Sequence, residues 1–144
     1  MTTAATAHLA GQDLAVLRTW VNSLPAFTAA GVRCVEMDVG VVRAEMQVPA
    51  TVRNPSGPVN GGALSFFADQ IGGAVASTLV PADRGPVTTT LTVNYLAAAH
   101  GALLRGEARV VRSGRSHAFV QIEIHDGGHL CLTGSGIWLL TPSR

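Results

Sequence analysis

The sequence predicts one α+β domain in which a curved antiparallel sheet wraps around a single long helix. The first observation is residues 61–80, whose apolar side chains would point in nearly all directions on a helix, as in a helix buried on most sides. The second is a set of strand-like runs with short turns, because an antiparallel sheet with one wet face can cover such a helix. The third is the composition: 47 % of the 144 residues are hydrophobic and 13 % are charged, which is typical of one globular domain.

Residues 1–28 of the predicted domain form an N-terminal helical segment, and residues 29–144 hold the sheet and the central helix. We expect a short helix at residues 13–24, since its apolar residues recur at spacings of three and four and Pro25 follows. These apolar residues are Leu14, Leu17, Val21 and Leu24. The spacing predicts that one face of this helix packs on the rest of the domain.

Alternation of apolar and polar residues predicts strands on both sides of the central helix. Residues 32–48 alternate in this way, and Gly40 is expected at a turn between two strands. After Pro81, which ends the helix, the strand-like runs are 87–96, 103–111, 117–125 and 130–140. The sequences "RSGRS" and "HDGGH" between the last of these runs are typical of turns. In the first run, the alternation places Leu91 on one face and Thr88 on the other.

Charge and composition argue against several classes of function. The formal net charge is +1 and the charges are scattered, which disfavours nucleic acid and anionic membranes as partners. All ten basic residues are arginines, so lysine-dependent catalysis is excluded. Cys34 and Cys131 lie far apart and the five histidines are dispersed, so we assign no metal site and expect buried, inert thiols. The first residues do not resemble a secretory signal, and we expect a cytoplasmic protein.

Asp69 is the only charged residue between Arg53 and Asp83, inside the segment predicted to be the buried helix. On a helix, Ser65, Asp69 and Gly73 are four residues apart and form a stripe of small and polar side chains on one face. A buried carboxylate needs a partner or a wet cleft. Asp69 is therefore either a structural residue held by hydrogen bonds, the more common case, or a functional base that faces a cleft.

The sequence Asn60-Gly61-Gly62 has the form of a helix start. Asn is a favoured N-cap, and the two glycines leave the first backbone N–H groups accessible to a ligand. Such groups at the positive end of a helix dipole can bind a carbonyl oxygen that becomes an oxyanion. The same residues are equally consistent with capping and close packing alone. The two interpretations are compatible, because a cap uses only one of several donors.

Helix geometry separates these two features within one chain. Asp69 lies eight residues beyond Gly61, so their backbones would be about 12 Å apart along the helix axis. One chain therefore cannot bring both to one reacting carbon. Two copies whose helices run side by side in opposite directions would bring the helix start of one level with Asp69 of the other. We therefore expect a homodimer that forms two sites.

At these residues the chain resembles the hotdog-fold acyl-CoA thioesterases, in particular the PaaI-type family, over roughly residues 30–140. The resemblance rests on a loop Asn, the Gly-Gly helix start, an acid nine residues after Asn60, the strand "VTTTLTVNYL", a Gly-Arg turn and a final glycine-containing strand. It implies a hotdog fold and hydrolysis of an acyl-CoA to a free acid and coenzyme A. It implies no cofactor beyond the coenzyme A of the substrate, and a homodimer, with further pairing into a dimer of dimers.

The resemblance also implies residue roles. Asn54 places the thioester or the attacking water, and the Gly61 N–H polarises the thioester carbonyl. Asp69 is the catalytic acid, as a general base toward water or as a nucleophile that forms an anhydride, and Thr88 assists it. The substrate-binding residues implied are Asn60, Gly62, Ser65, Gly114, Arg115 and Ser116, of which the last three belong to the turn "SGRS" near the pantetheine or nucleotide.

One position departs from the family pattern, since members commonly carry His where this chain has Asn60. Asn can cap the helix and donate a hydrogen bond, but it carries no proton at neutral pH. A non-catalytic acyl-CoA-binding protein is therefore the second hypothesis. A hotdog hydratase or dehydratase is the third, although its proton transfers usually need a His and none lies between His8 and His100. Four arginines are either contacts for the phosphates of coenzyme A or solvated surface residues: Arg53, Arg84, Arg112 and Arg115.

Overall fold

The computed structural model describes residues 13–141, so the predicted N-terminal segment is described only from residue 13 onward. The elements in chain order are α1 (Leu14–Ser23), α2 (Pro25–Ala30), β1 (Val32–Asp38), β2 (Val41–Gln47), α3 (Gly61–Ser77), β3 (Pro86–Tyr95), β4 (Leu103–Ser113), β5 (His117–Asp126) and β6 (His129–Leu140). One short 3-10 turn, Ala50–Val52, lies in the connection between β2 and α3.

The six strands form one antiparallel sheet in the order β1-β2-β4-β5-β6-β3. Helix α3 contacts all six strands, so the sheet curves around it. Strand β3 lies at one edge of the sheet, and α1 and α2 pack against β1 at the other edge. The predicted architecture, a curved antiparallel sheet around one long helix, is confirmed. The turn predicted at Gly40 is also confirmed, because Gly40 separates β1 from β2 with a φ of 79°.

Helix α3 is buried on most sides, as its sequence predicts. Its fully enclosed side chains include Phe67 and Ile71. The helix ends at Ser77, three residues before the predicted end at 80, because Thr78 turns the chain. The Thr78 hydroxyl donates to the Val75 carbonyl (2.6 Å) and accepts from the Gly40 N–H (3.0 Å). None of the helices within residues 13–141 combines the length and apolar character needed to cross a bilayer.

The N-terminal helix forms and ends before Pro25, as predicted, and a second short helix follows it. The Asp13 carboxylate caps α1 by accepting from the Ala15 N–H (2.9 Å). Pro25 then becomes the first residue of α2, a position where its fixed φ and missing N–H carry no penalty. This second helix was not predicted, and it buries Phe27 in the core.

A β-bulge in β3 corrects the predicted faces of this strand. Thr88 pairs with Trp138 of β6, but Thr90 pairs with its neighbour Ile137, so Thr89 is an extra residue. The Thr89 hydroxyl donates to the Ile137 carbonyl (2.9 Å). The extra residue moves Thr88 to the face that packs against α3, the same face as Leu91. The prediction that Thr88 and Leu91 face opposite ways was wrong, since alternation holds only in an unbroken ladder.

Both cysteines are buried free thiols, as predicted. Burial raises the pKa of the Cys34 thiol to about 11, so the thiol remains protonated and unreactive at neutral pH. The pKa of Cys131 is raised for the same reason.

Glycines allow α3 to approach the sheet closely. A Cβ on Gly72 would overlap the six-membered ring of Trp138, and one on Gly136 would lie 2.7 Å from the Thr90 carbonyl oxygen and against the same ring. A Cβ on Gly106 would lie 2.8 Å from the Phe67 ring. These positions are therefore closed to larger residues by packing rather than by backbone conformation.

We expect Gly72→Ala to destabilise the protein by about 1–3 kcal/mol, because the added methyl group displaces Trp138 from a close-packed site. Gly73→Ala is the matched control in the same helix, where a Cβ would lie 3.8 Å from Trp138 Nε1. This control should keep or raise stability by about 0.5–1 kcal/mol, since Ala favours helix over Gly. Urea denaturation of both variants tests this expectation, and equal unfolding midpoints would contradict it.

Candidate active site

The start of α3 holds three of the predicted site residues in one hydrogen-bonded group. The side-chain oxygen of Asn60, Oδ1, accepts from the Gly62 N–H (2.7 Å), which confirms Asn60 as the N-cap. The Asn60 amide donates to the side-chain oxygen of Asn54 (3.0 Å). Within residues 13–141, the Gly61 N–H has no hydrogen-bond acceptor. The helix start therefore presents one backbone donor to a ligand.

Tyr95, at the end of β3, joins this group and was not predicted. Its hydroxyl donates to the Gly61 carbonyl (3.0 Å) and shares a short hydrogen bond with the Ser65 hydroxyl. The ring covers Gly61, where a Cβ would lie 3.3 Å from it. Sequence alternation places Tyr95 on the same face as Leu91, and this signal would have indicated a residue directed at the helix.

Asp69 and Thr88 form the second group. The Thr88 hydroxyl donates to Asp69 Oδ1 (2.8 Å). Asp69 is half-buried rather than enclosed in the core. The β3 bulge makes this contact, because it turns Thr88 toward α3. The carboxylate thus has one side-chain donor to Oδ1, which leaves Oδ2 for another group.

Asp69 and Thr88 line a cavity of about 280 Å³. Its walls are largely aromatic and aliphatic, and come from α1, α2, α3 and the ends of β3 and β6: Trp20, Val21, Leu24, Phe27, Gln70, Gly73, Ala74, Ser77, Gly85, Pro86 and Trp138. A second cavity of about 440 Å³ shares the wall residues Trp20, Ser77, Gly85 and Pro86. The sequence did not indicate Trp20, Phe27 or Trp138 as site residues, since only tertiary packing brings them to Asp69.

Within one chain the two groups remain apart. Tyr95 is the last residue of β3 and Thr88 is near its start, while α3 runs alongside in the opposite direction. Gly61 does not line the cavity at Asp69. The separation agrees with the distance of about 12 Å expected from helix geometry.

The turn between β4 and β5 does not join either group within one chain. Gly114, Arg115 and Ser116 are exposed, and none lines the cavity at Asp69. The Ser116 carbonyl accepts from the Leu140 N–H (2.8 Å), which places the turn beside the end of β6.

Arg53 and Asp126 hold the loop that leads to α3. The Arg53 guanidinium donates to the carbonyls of Gly57 (3.1 Å), His100 (3.0 Å) and Gly101 (2.9 Å). Asp126 Oδ2 accepts from the N–H groups of His100 (2.9 Å) and Gly101 (3.0 Å), and these bonds lower the pKa of Asp126. The Arg53 guanidinium thus binds backbone carbonyls of the protein. It is therefore not a solvated surface residue, and its donors are used within the loop rather than presented to a phosphate.

Between residues 13 and 141, no group of three His, Cys, Asp or Glu side chains is placed to hold a metal ion.

Comparisons with known proteins point to one family. The model of the thioesterase superfamily matches residues 56–132, more than half of the chain. The proofreading thioesterase EntH of Klebsiella pneumoniae subsp. pneumoniae is 27 % identical over 104 residues, which cover 72 % of this chain and 76 % of that protein. The residues that match the family model include Asp69 and the start of α3.

Solved structures agree with this fold. A conserved protein of Pseudomonas aeruginosa is 28 % identical with a TM-score of 0.80, covering 85 % of this chain and 98 % of that one. A hypothetical thioesterase of Streptococcus pneumoniae TIGR4, crystallised with coenzyme A, is 24 % identical with a TM-score of 0.75, covering 83 % and 94 %. The predicted hotdog fold is confirmed.

We expect Asp126→Ala to destabilise the protein at neutral pH, because two backbone N–H groups lose their acceptor. The folded-state pKa of Asp126 lies below its ordinary value of 3.8, so its contribution is present above about pH 4 and is lost as pH falls through the folded pKa. Thermal unfolding from pH 7 to pH 2 should show the gap to wild type closing below pH 4. Asp83→Ala, at an exposed carboxylate, is the control, and a gap independent of pH would refute the linkage.

Proposed function

Because the chain belongs to the thioesterase superfamily and is a thioester hydrolase, we propose that it cleaves an acyl-CoA with water to a free acid and coenzyme A. The observation that carries the proposal is the Asp69 carboxylate, held by the Thr88 hydroxyl at the wall of an apolar cavity. The coenzyme A in the streptococcal neighbour supports this substrate class. The buried free thiols are consistent with action in the cytoplasm.

Asp69 acts on the thioester carbon, either as the base that activates water or as the nucleophile that forms an anhydride. The Thr88 hydroxyl occupies Oδ1 and fixes the plane of the carboxylate. This leaves Oδ2 to accept a proton from water or to attack. The aromatic walls of the cavity receive the acyl group and exclude bulk water, which strengthens the electrostatic interactions in the site.

The Gly61 N–H polarises the thioester carbonyl. Negative charge builds on that oxygen during attack, and a backbone donor at the positive end of a helix stabilises it. Asn60 and Asn54 keep this donor in place through their hydrogen bond and the N-cap. Asn60 supplies no proton, and none is needed for departure, because a thiol is acidic enough to leave as thiolate. The reaction therefore requires no cofactor.

A homodimer completes the site. Within residues 13–141, one edge of strand β3 pairs with no other strand. The exposed fractions of Val87, Tyr95 and Leu96 are 51 %, 52 % and 55 %. A long edge strand with exposed apolar residues favours pairing with another strand. Antiparallel pairing of two β3 strands, centred on Thr92, would set Leu91 opposite Val93 of the second copy. Because Thr89 is the extra residue of the bulge, Thr88 would then lie opposite Tyr95 of the second copy. Asp69 of one protomer would then face the helix start of the other.

The nucleotide part of coenzyme A binds at exposed residues outside the cavity. The turn with Gly114, Arg115 and Ser116, together with Arg84 at the rim of the second cavity, offers guanidinium groups for phosphates. Further pairing of dimers into a tetramer is part of the proposal.

We expect Asp69→Asn to lower kcat about a hundredfold to ten-thousandfold, because the amide neither accepts a proton nor attacks. Thiol release from short, long and aromatic acyl-CoAs measures this effect, and Asp83→Asn is the control for a neutralised exposed carboxylate. Wild-type rates for Asp69→Asn on a cognate substrate would reject the catalytic assignment of Asp69.

Thr88→Val should lower kcat about tenfold through loss of one charged hydrogen bond. Its control is Thr90→Val, which removes a hydroxyl from the outer face of the same strand.

A pair of variants isolates the Gly61 N–H. Gly61→Pro removes this donor at the first helical position, where Pro is well tolerated, and the Asn60 ψ of 137° suits a following proline. Gly61→Ala adds the same Cβ beside Tyr95 but keeps the donor. We expect Gly61→Pro to lower kcat about a hundredfold to a thousandfold relative to Gly61→Ala.

Mixing the two defective chains tests whether the site is shared. In a heterodimer of Asp69→Asn and Gly61→Pro, a shared site would combine the intact Asp69 of one chain with the intact Gly61 of the other. Random pairing should then restore about one quarter of wild-type activity, from one intact site in half of the dimers. A site contained within one chain would show no recovery.

A further inference from the structure

Trp138 is an aromatic wall residue of the cavity that also carries a polar group, the indole N–H. It lies on the inner face of β6, directly opposite Thr88 on β3, and its exposed fraction is 1 %. Directly opposed residues on neighbouring strands have Cβ atoms about 5 Å apart. Trp138 therefore reaches the cavity beside the Asp69 carboxylate, whose walls it helps to form.

Two glycines fix the orientation of the Trp138 ring. The six-membered ring fills the space over Gly72 on α3 and Gly136 on β6, which no Cβ occupies. The opposite edge, with Nε1, is directed toward Gly73, where a Cβ would lie 3.8 Å from the nitrogen. Gly73 is itself a wall residue of the cavity. The indole N–H is thus held at the cavity and cannot rotate away.

Within residues 13–141, this N–H has no hydrogen-bond acceptor. Of the polar side chains in the cavity wall, Asp69 Oδ1 accepts from Thr88, and the Ser77 hydroxyl donates to the Gly73 carbonyl (2.9 Å). Neither Asp69 nor Gln70, another polar wall residue, accepts a hydrogen bond from the indole within the described residues. A buried Trp N–H usually finds a partner, because an unsatisfied buried donor costs about 1–3 kcal/mol. An unpaired donor at the wall of a reaction cavity is therefore a feature that a ligand would satisfy.

We propose that Trp138 determines substrate specificity, with its indole N–H donating to an oxygen on the acyl group. The inference rests on the proposed thioesterase activity and adds the substrate class: acyl groups that carry a hydroxyl or keto oxygen close to the thioester. The oxygen lies close to the thioester because Trp138 and Thr88 are neighbours across the sheet. The apolar side chains around Trp138, including Trp20 and Phe27, pack on the remainder of the acyl group.

This donor discriminates against acyl groups that lack the oxygen. An unsubstituted acyl group displaces water from the cavity but leaves the N–H unpaired, at a cost of about 1–3 kcal/mol. That cost corresponds to a preference of about fivefold to 150-fold in kcat/KM for the oxygenated substrate. A hydroxyl or keto group is the matching acceptor, since the indole nitrogen only donates.

Matched pairs of substrates test the inference. Wild type, Trp138→Phe and Trp20→Phe are assayed with butanoyl-CoA beside 3-hydroxybutanoyl-CoA, and with benzoyl-CoA beside 2-hydroxybenzoyl-CoA. The measured quantity is the ratio of kcat/KM within each pair. We expect wild type and Trp20→Phe to prefer the oxygenated member of at least one pair by about tenfold. Trp138→Phe should bring that ratio close to one.

The ratio separates the inference from its alternatives. Equal losses for both members of a pair in Trp138→Phe would mean that the N–H holds the attacking water, the thioester carbonyl or only the fold, and would overturn the inference. A wild-type ratio near one in both pairs would overturn it as well. Absence of hydrolysis of every acyl-CoA would instead refute the proposed function.

A binding measurement keeps the inference testable without turnover and without a variant that disturbs folding. The chain has two tryptophans, so its ¹⁵N–¹H spectrum contains two indole signals, and Trp20→Phe assigns them. Non-hydrolysable thioethers of coenzyme A are added to wild type. One pair carries butyl or 3-hydroxybutyl groups, and the other carries benzyl or 2-hydroxybenzyl groups. A downfield shift of the Trp138 indole proton with a hydroxylated thioether alone supports the hydrogen bond. Identical shifts within both pairs would exclude it.

Discussion

The close approach of α3 to the sheet is the constraint on which the rest of the structure depends. Gly72 on the helix and Gly106 and Gly136 on the strands leave room that any Cβ would fill. The helix can therefore lie directly on the inner face of the sheet, where Asp69 meets the Thr88 hydroxyl. With a wider spacing, the carboxylate would lose this partner and the cavity beside it would lose its walls.

The burial of α3 also determines which polar groups the site can contain. A helix surrounded by apolar strands tolerates a carboxylate only where a donor and a cleft are both present, and Asp69 has both. At the helix start, the N-cap and the hydroxyls of Tyr95 and Ser65 satisfy neighbouring groups, but among the described residues the Gly61 N–H has no acceptor. The groups proposed for catalysis are thus donors and acceptors that the described fold does not use internally.

The sequence predicted the parts of the fold that depend on local periodicity. The enclosed helix, the order of the strands along the chain and the N-cap at Asn60 are each read from neighbouring residues. Contacts that depend on a change of register could not be predicted: the β3 bulge reversed the face of Thr88, a residue that only the family resemblance had indicated. Trp138 was not predicted for a similar reason: its ring packs on Gly72, which lies on α3, far from Trp138 in the sequence.

Strand β3 links these constraints across the proposed dimer. Its inner face carries Thr88 at one end and Tyr95 at the other, so each end supports one half of a site. Its outer edge is the surface through which a second copy would pair, and antiparallel pairing brings opposite ends together. The bulge directs Thr88 toward Asp69, and in the proposed dimer it would also set the register in which the edge meets its partner. In that dimer, catalysis and association would be coupled through this one strand, because a shift of one residue in its pairing would separate the carboxylate from the Gly61 N–H of the other copy.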